Sequence, residues 1–194
     1  MDRRIGLRER KKEATRWALH TAALQLVCDR GLDNVTIDAI ADGATVSRRT
    51  FSNYFASKEE ALLYGDSLRL RRLLELVSAR PPAEPAWAAL IHAVDDLGLQ
   101  DDQATPVPAL AHLLKGHPTL VYQQIVVYAV AERDLAVELT GRLPDDPAAA
   151  LRARVLAATF LTTLRVVARL SLEQPDSVRS DLLRQSLEIV QDRF

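Results

Sequence analysis

The stretch TVSRRTFSNYFASKEEA, residues 45–61, sets Arg48 and Arg49 beside Phe51, Tyr54 and Phe55. A buried helix would not carry two guanidinium groups, and a fully solvated one would not need three aromatic rings. At 100° per residue, Phe51 and Phe55 fall together with Val46 on an inward seam. Arg49, Thr50, Ser52 and Asn53 occupy the opposite arc, with Tyr54 at its edge and Arg48 bordering the apolar side. The pattern predicts a helix over 48–55 capped by Ser47, with Val46 and Phe51 as a hydrophobic staple. Ser57-Lys58-Glu59-Glu60 then has the capping-box form and launches a long helix toward Arg80.

Upstream, Leu19, Ala22, Ala23, Leu26 and Val27 form one apolar stripe on a helix over 15–30, which Gly31 ends. VTIDAIADGA reads as a short helix over 37–43, with Thr36 as its N-cap. Downstream, RPPAEP at 80–85 breaks the chain, because adjacent prolines cannot continue a helix. Further helices are expected at about 85–98, 107–116, 118–142, 146–172 and 177–193, separated by proline-bearing segments. Strand alternation is missing throughout. The fold class is therefore all-α with about nine helices, divided into 1–58 and 59–194, with 58–80 as a connecting helix.

Composition limits the possible functions. The chain has 194 residues and a formal net charge of -1, which suits a folded, soluble protein. Residues 1–58 hold eleven Lys and Arg against seven Asp and Glu, whereas 81–194 hold ten against fifteen. Six of the cations crowd into positions 3–12, so an anionic partner is expected for the front only, if this arm is more than a solvated terminus. The single cysteine, Cys28, falls within the first helix's core pattern and forms no internal disulfide. No cofactor or metal is expected, because the four histidines lack ligand spacing. No apolar h-region precedes the first helix, and the longest apolar stretch, 155–164, falls short of the ~20 residues a membrane span needs. A cytoplasmic location without membrane attachment is expected.

Arg and Asn are the side chains that grip guanine and adenine bidentately in a DNA major groove. The helix at 37–43, a tight turn and the helix from Arg48 together have the form of a helix-turn-helix, whose second helix enters that groove. Thr36 and Lys58 begin their helices, where backbone amides and side-chain donors suit phosphate. The stretch TRWALHTAALQLVCDRGLDNVTIDAIADGATVSRRTFSNYFASKEEAL, residues 15–62, resembles the DNA-binding region of the TetR family of bacterial transcriptional regulators. The form R-T-F-x-N-Y-F-x-S-K-E further resembles the branch that binds acyl-CoA-like ligands. The resemblance implies that Thr36, Ser47, Thr50, Tyr54 and Lys58 hold phosphates, while Arg48, Arg49 and Asn53 read bases. Two positions depart from the family pattern. Thr45 stands where the turn usually has glycine, which leaves the flexibility to Gly43 or alters the turn. Ser52 stands where an aromatic is common, leaving Tyr54 as the surviving one. The basic arm could reach a minor groove or only raise non-specific affinity.

DNA half-sites need two reading heads, so a homodimer is expected. Its interface is placed on the last two helices, at Ala157, Ala158, Val178, Leu182, Leu187 and Val190. Candidate effector contacts are Gln124, Tyr128 and Glu132, on the face of Val121, Leu135 and Leu139, with Arg165 and Phe160. For each an internal partner is the favoured reading, and Phe160 reads first as packing; Arg165 in particular wants an anion from the chain or from a ligand. The leading function is a repressor of a palindromic operator in double-stranded DNA, released by a small, largely apolar effector. The alternative is a helical adaptor that binds protein without reading DNA sequence. Ser/His/Asp order, paired carboxylates and a glycine-rich phosphate loop are all missing, so no enzymatic activity is expected.

Overall fold

A computed structural model of the chain describes residues 6–98, 116–173 and 179–191. Among these residues lie nine α-helices and no strand. They are α1 (Leu7–Arg30), α2 (Ile37–Gly43), α3 (Arg48–Ser52), α4 (Lys58–Leu62), α5 (Tyr64–Ala79), α6 (Ala86–Asp96), α7 (Pro118–Thr140), α8 (Ala149–Glu173) and α9 (Arg179–Gln191). The number agrees with expectation, but the partition differs. The connecting helix is two, parted at Leu63, whose φ of -89° and ψ of 4° leave the helical range. Most of the helix expected at 107–116 lies outside the described residues.

The chain separates into two compact units, Met1–Leu68 with His112–Gln124, and Arg69–Ala111 with Ile125–Phe194. That differs from the expected division after residue 58, because α4 and the first turn of α5 pack with α1. Leu62, Leu63 and Tyr64 are buried, and His20 on α1 hydrogen-bonds to the Ala61 carbonyl at 2.8 Å. A carbonyl only accepts, so the proton sits on His20 Nδ1. Gly65 follows directly, and a Cβ there would stand 2.8 Å from His20 Nε2.

In the first unit, Leu19, Ala23, Val27, Ile40, Phe51 and Phe55 supply the centre of the core. Leu120, from the first turn of α7, is also fully buried. Phe55 meets Tyr64 edge-on at 5.4 Å. Gly31 ends α1 at φ 77°, ψ 154°, a conformation restricted in practice to glycine. Cys28 is exposed, contrary to the core placement expected for it, so the apolar stripe of α1 excludes it.

The second unit buries Val77, Leu90, Ala93, Leu135, Leu139, Ala157, Phe160 and Leu187 in one cluster. Arg142, beyond the end of α7, has only 4 % of its side chain exposed. Its guanidinium donates to the carbonyls of Val77 (2.7 Å), Arg80 (3.1 Å) and Pro81 (2.7 Å), at and just beyond the end of α5, where Val77 and Pro81 also accept the backbone N–H groups of Arg80 and Glu84. Beside it, Arg80 grips both oxygens of Glu84 at 2.8 and 2.9 Å, and His92 Nδ1 lies 2.6 Å from Glu84. The Arg80 guanidinium, with His92 second among the groups that lower it, holds the Glu84 carboxyl down at about 2. No described helix is long and apolar enough to cross a membrane.

Candidate nucleic-acid interface

The turn between α2 and α3 fixes everything that α3 presents. Thr45 N–H donates to Asp42 O at 2.9 Å and Val46 N–H to Ala41 O at 2.9 Å. With Ala44 as C-cap, those two bonds make a Schellman motif, and Thr45 occupies its left-handed position at φ 56°. A β-branched residue therefore takes the conformation that glycine would take without strain. Gly43 does not supply the turn's freedom, as one reading of the sequence had it. It lies inside α2, where a Cβ would stand 3.4 Å from Ala22 Cβ and 3.7 Å from Leu26 Cδ1, close to ordinary contact with α1.

Capping follows the sequence closely. Thr36 Oγ1 accepts from Ala39 N–H at 3.2 Å, Ser47 Oγ from Thr50 N–H at 3.1 Å, and Ser57 Oγ from Glu60 N–H at 3.0 Å. Glu60 does not close the box on Ser57; its carboxylate takes the Ala56 N–H at 2.6 Å, one residue earlier. The recognition helix is shorter than the predicted 48–55. Regular helix stops at Ser52 with Asn53 as C-cap, although Phe55 N–H still reaches Phe51 O at 2.9 Å. Phe51 and Phe55 are both buried, so the inward seam survives the shorter helix.

The nine candidate DNA-binding residues fall into distinct settings. Arg49, Ser52 and Asn53 are exposed, and none has a side-chain partner among the described residues. Arg48 is exposed but tied to Asp38 of α2 at 2.6 Å. Ser47 and Thr50 share a hydroxyl–hydroxyl bond at 2.9 Å, and Thr36 is exposed at its cap. Tyr54 is half-buried beneath the Arg16 guanidinium, 5.6 Å from the ring centroid. Lys58 differs most from its expected role. Its ammonium turns inward and donates to the Leu32 and Val35 carbonyls at 2.7 and 3.0 Å, which leaves one N–H for any other acceptor. Trp17, exposed on α1, stacks at 5.2 Å on His20 of the same helix.

The proposed effector and dimer residues scatter. Gln124 lies in the first unit; Tyr128, Glu132, Phe160 and Arg165 lie in the second. Val121 is exposed, unlike Leu135 and Leu139, so the expected shared face is not continuous. Phe160 is buried in the core against Trp87, ring centroids 6.1 Å apart. Arg165 sits over the Tyr128 ring at 5.8 Å, and no carboxylate partners it among the described residues. Trp87 Nε1 is buried without a hydrogen-bond partner among the described residues. Ala157 and Leu187 are buried in the unit's own core and Leu182 packs against it, whereas Ala158 and Val190 are half-buried. Val178 lies outside the described residues.

Residues 19–64 match the sequence profile of bacterial regulatory proteins of the tetR family. The transcriptional regulator TcmR of Streptomyces glaucescens is 31% identical over 171 residues, which cover 84% of this chain and 76% of that protein. Among solved structures, Thermus thermophilus FadR, a TetR-family repressor in complex with lauroyl-CoA, is 28% identical. That similarity has a TM-score of 0.52 and covers 91% of this chain and 93% of that one. A transcriptional regulator from Aquifex aeolicus matches in fold at a TM-score of 0.59, with 17% identity and 93% and 99% coverage.

Proposed function

Because the chain belongs to the TetR family of bacterial transcriptional regulators, we propose that it is a homodimeric repressor of a palindromic operator. The observation that carries this reading is the exposed face of α3. Arg49, Ser52 and Asn53 are free of internal partners there, on a helix seated by the buried Phe51 and Phe55. A guanidinium without a partner keeps both prongs of its fork for guanine O6 and N7.

The dimer face we propose is the outer stripe of α8, Leu151, Val155, Ala158 and Val166, with Ile189 of α9. All but Ala158 are large apolar side chains exposed to solvent in the single chain. They replace Ala157 and Leu187, which the core already uses. The effector is placed in the second unit, and an apolar molecule carrying one acceptor suits the unpaired Trp87 Nε1. The lauroyl-CoA complex of the Thermus relative supports an acyl chain. Release requires the effector to favour the non-binding state by ~1–3 kcal/mol.

Selection of bound sequences from random duplex DNA tests the reading. An inverted repeat with half-site centres about 34–36 Å apart is expected, and no enriched palindrome would sink it. Arg49→Ala should relax base preference at one position in each half-site, costing ~1–3 kcal/mol there, read from the same selection.

A further inference from the structure

The basic front end is not a free tail as far as position 15. Helix α1 begins at Leu7, so Arg8, Arg10, Lys11 and Lys12 stand on its first two turns. All four are exposed, and none has an ion pair or side-chain hydrogen bond among the described residues. Arg8, Lys11, Lys12 and Thr15 recur at helical spacing, and together they form one wall of an open cleft. Thr50, Asn53 and Tyr54, from α3 and the turn after it, form the other wall. Arg16 covers the Tyr54 ring and holds that wall in place. Among the described residues Glu9 is the one carboxylate in the lining.

Three unpaired cations, three hydroxyls and an amide, with one acid, make a surface for a polyanion whose oxygens recur along a line. From residue 8 to 15 the helix rises roughly 10 Å, about the length of three nucleotides in one strand. The cleft is continuous with the exposed face of α3 through Asn53, so the polyanion lies beside whatever Arg49 meets.

We infer that this cleft seats the sugar–phosphate strand flanking the bases read by Arg49, and that Asn53 and Tyr54 hold this strand rather than read bases. The inference rests on the DNA-binding reading and changes it in two respects. It removes Asn53 from the base readers, and it extends each half-site contact outward by about three nucleotides. The location of Asn53 carries the first change: as C-cap at the end of a short α3, it lines the cleft opposite Lys11 and Lys12.

The test uses the full chain and the duplex enriched by selection, with a random duplex of equal length as control. The triple variant Arg8→Gln, Lys11→Gln, Lys12→Gln keeps side chains of similar helix propensity at exposed positions. It should bind both duplexes more weakly by a similar factor. Its plot of log affinity against log salt should be shallower by about 0.9 per phosphate lost, roughly 5 for two heads with three contacts each. Hydroxyl-radical protection should retreat by about three nucleotides at both outer ends. Asn53→Ala should weaken binding while leaving the selected sequence unchanged. Neutral methylphosphonates at the same flanking positions should weaken the wild type, a readout that does not require a variant to fold. A wild type that binds its operator while the triple variant keeps the same slope and footprint would overturn the inference alone. So would an Asn53→Ala variant that selects a different base, or methylphosphonates without effect. A wild type that enriches no duplex would overturn the DNA-binding reading beneath it.

Discussion

The two units meet the cost of unpaired backbone groups in different ways. In the first, most of the capping is done by a hydroxyl three residues away, as Thr36, Ser47 and Ser57 do. Its long-range ties from His20 and Lys58 each end on backbone carbonyls. In the second, the end of α5 is held by Arg142, more than sixty positions away, and by the Arg80–Glu84–His92 cluster. The first unit is thus governed by backbone conformation and close approach, and the second by charged side chains around the end of α5, with Arg142 and Glu84 largely buried and His92 half exposed. Substitutions that alter φ or add a methyl group should act on the head, whereas loss of a cation or a change of pH should act on the body.

The strongest break in this contrast is Arg142→Met. It removes the side-chain donor shared by the Val77, Arg80 and Pro81 carbonyls, the first and last of which keep a backbone N–H, and should cost about 2 kcal/mol. Hydrogen exchange should show the loss in the second unit, with protection in α1 to α4 unchanged; equal loss in both would refute the separation. Next comes Gly65→Ala. The new methyl meets a His20 ring pinned by its bond to Ala61 and flanked by Trp17 and Tyr64, so about 2 kcal/mol of destabilisation is expected in the first unit. A melting temperature equal to wild type would show that the ring yields. Thr45→Gly works in the opposite direction. Relief of the left-handed strain, less the added flexibility of glycine in the unfolded chain, should stabilise the head by ~1 kcal/mol in denaturant unfolding.

The smallest effect is the pH dependence carried by Glu84. Its folded carboxyl is depressed to about 2 from an ordinary 4.5, so its contribution is fully present above about 4.5 and is lost as pH falls toward about 2. The stability difference between wild type and Glu84→Gln should therefore shrink over that interval in pH-resolved unfolding. A difference that stays constant from pH 5 to 2.5 would show that the Arg80 contact does not favour the charged form.

The same contrast explains which features could be read from the sequence. Caps at Thr36, Ser47 and Ser57, and the glycine stop at 31, are local devices whose donor and acceptor lie within four residues, so their spacing reveals them. The buried seam of Phe51 and Phe55 is equally local. The inward turn of the Lys58 ammonium leaves no mark in S-K-E-E, because its acceptors, Leu32 and Val35, are distant in the chain. The break at Leu63 has no proline or glycine at the point of breakage; buried neighbours impose it, and Gly65 two residues later was the one available hint. The role of Arg142 at the end of a different helix leaves no periodic trace in the sequence. For the proposed dimer face, apolar period alone does not say which half of an apolar helix faces its own core. Ala157 and Leu187 fell on the buried half, and Leu151 and Val155 on the exposed one.

The outward placement of Cys28 has a practical consequence. It is the one thiol in the sequence, and it stands exposed in the last turn of α1. A spin or fluorescent label can therefore be attached to the wild-type chain without removing any other cysteine. In a two-copy assembly, a single inter-label distance then reports the separation of the two heads, with and without DNA or a trial effector.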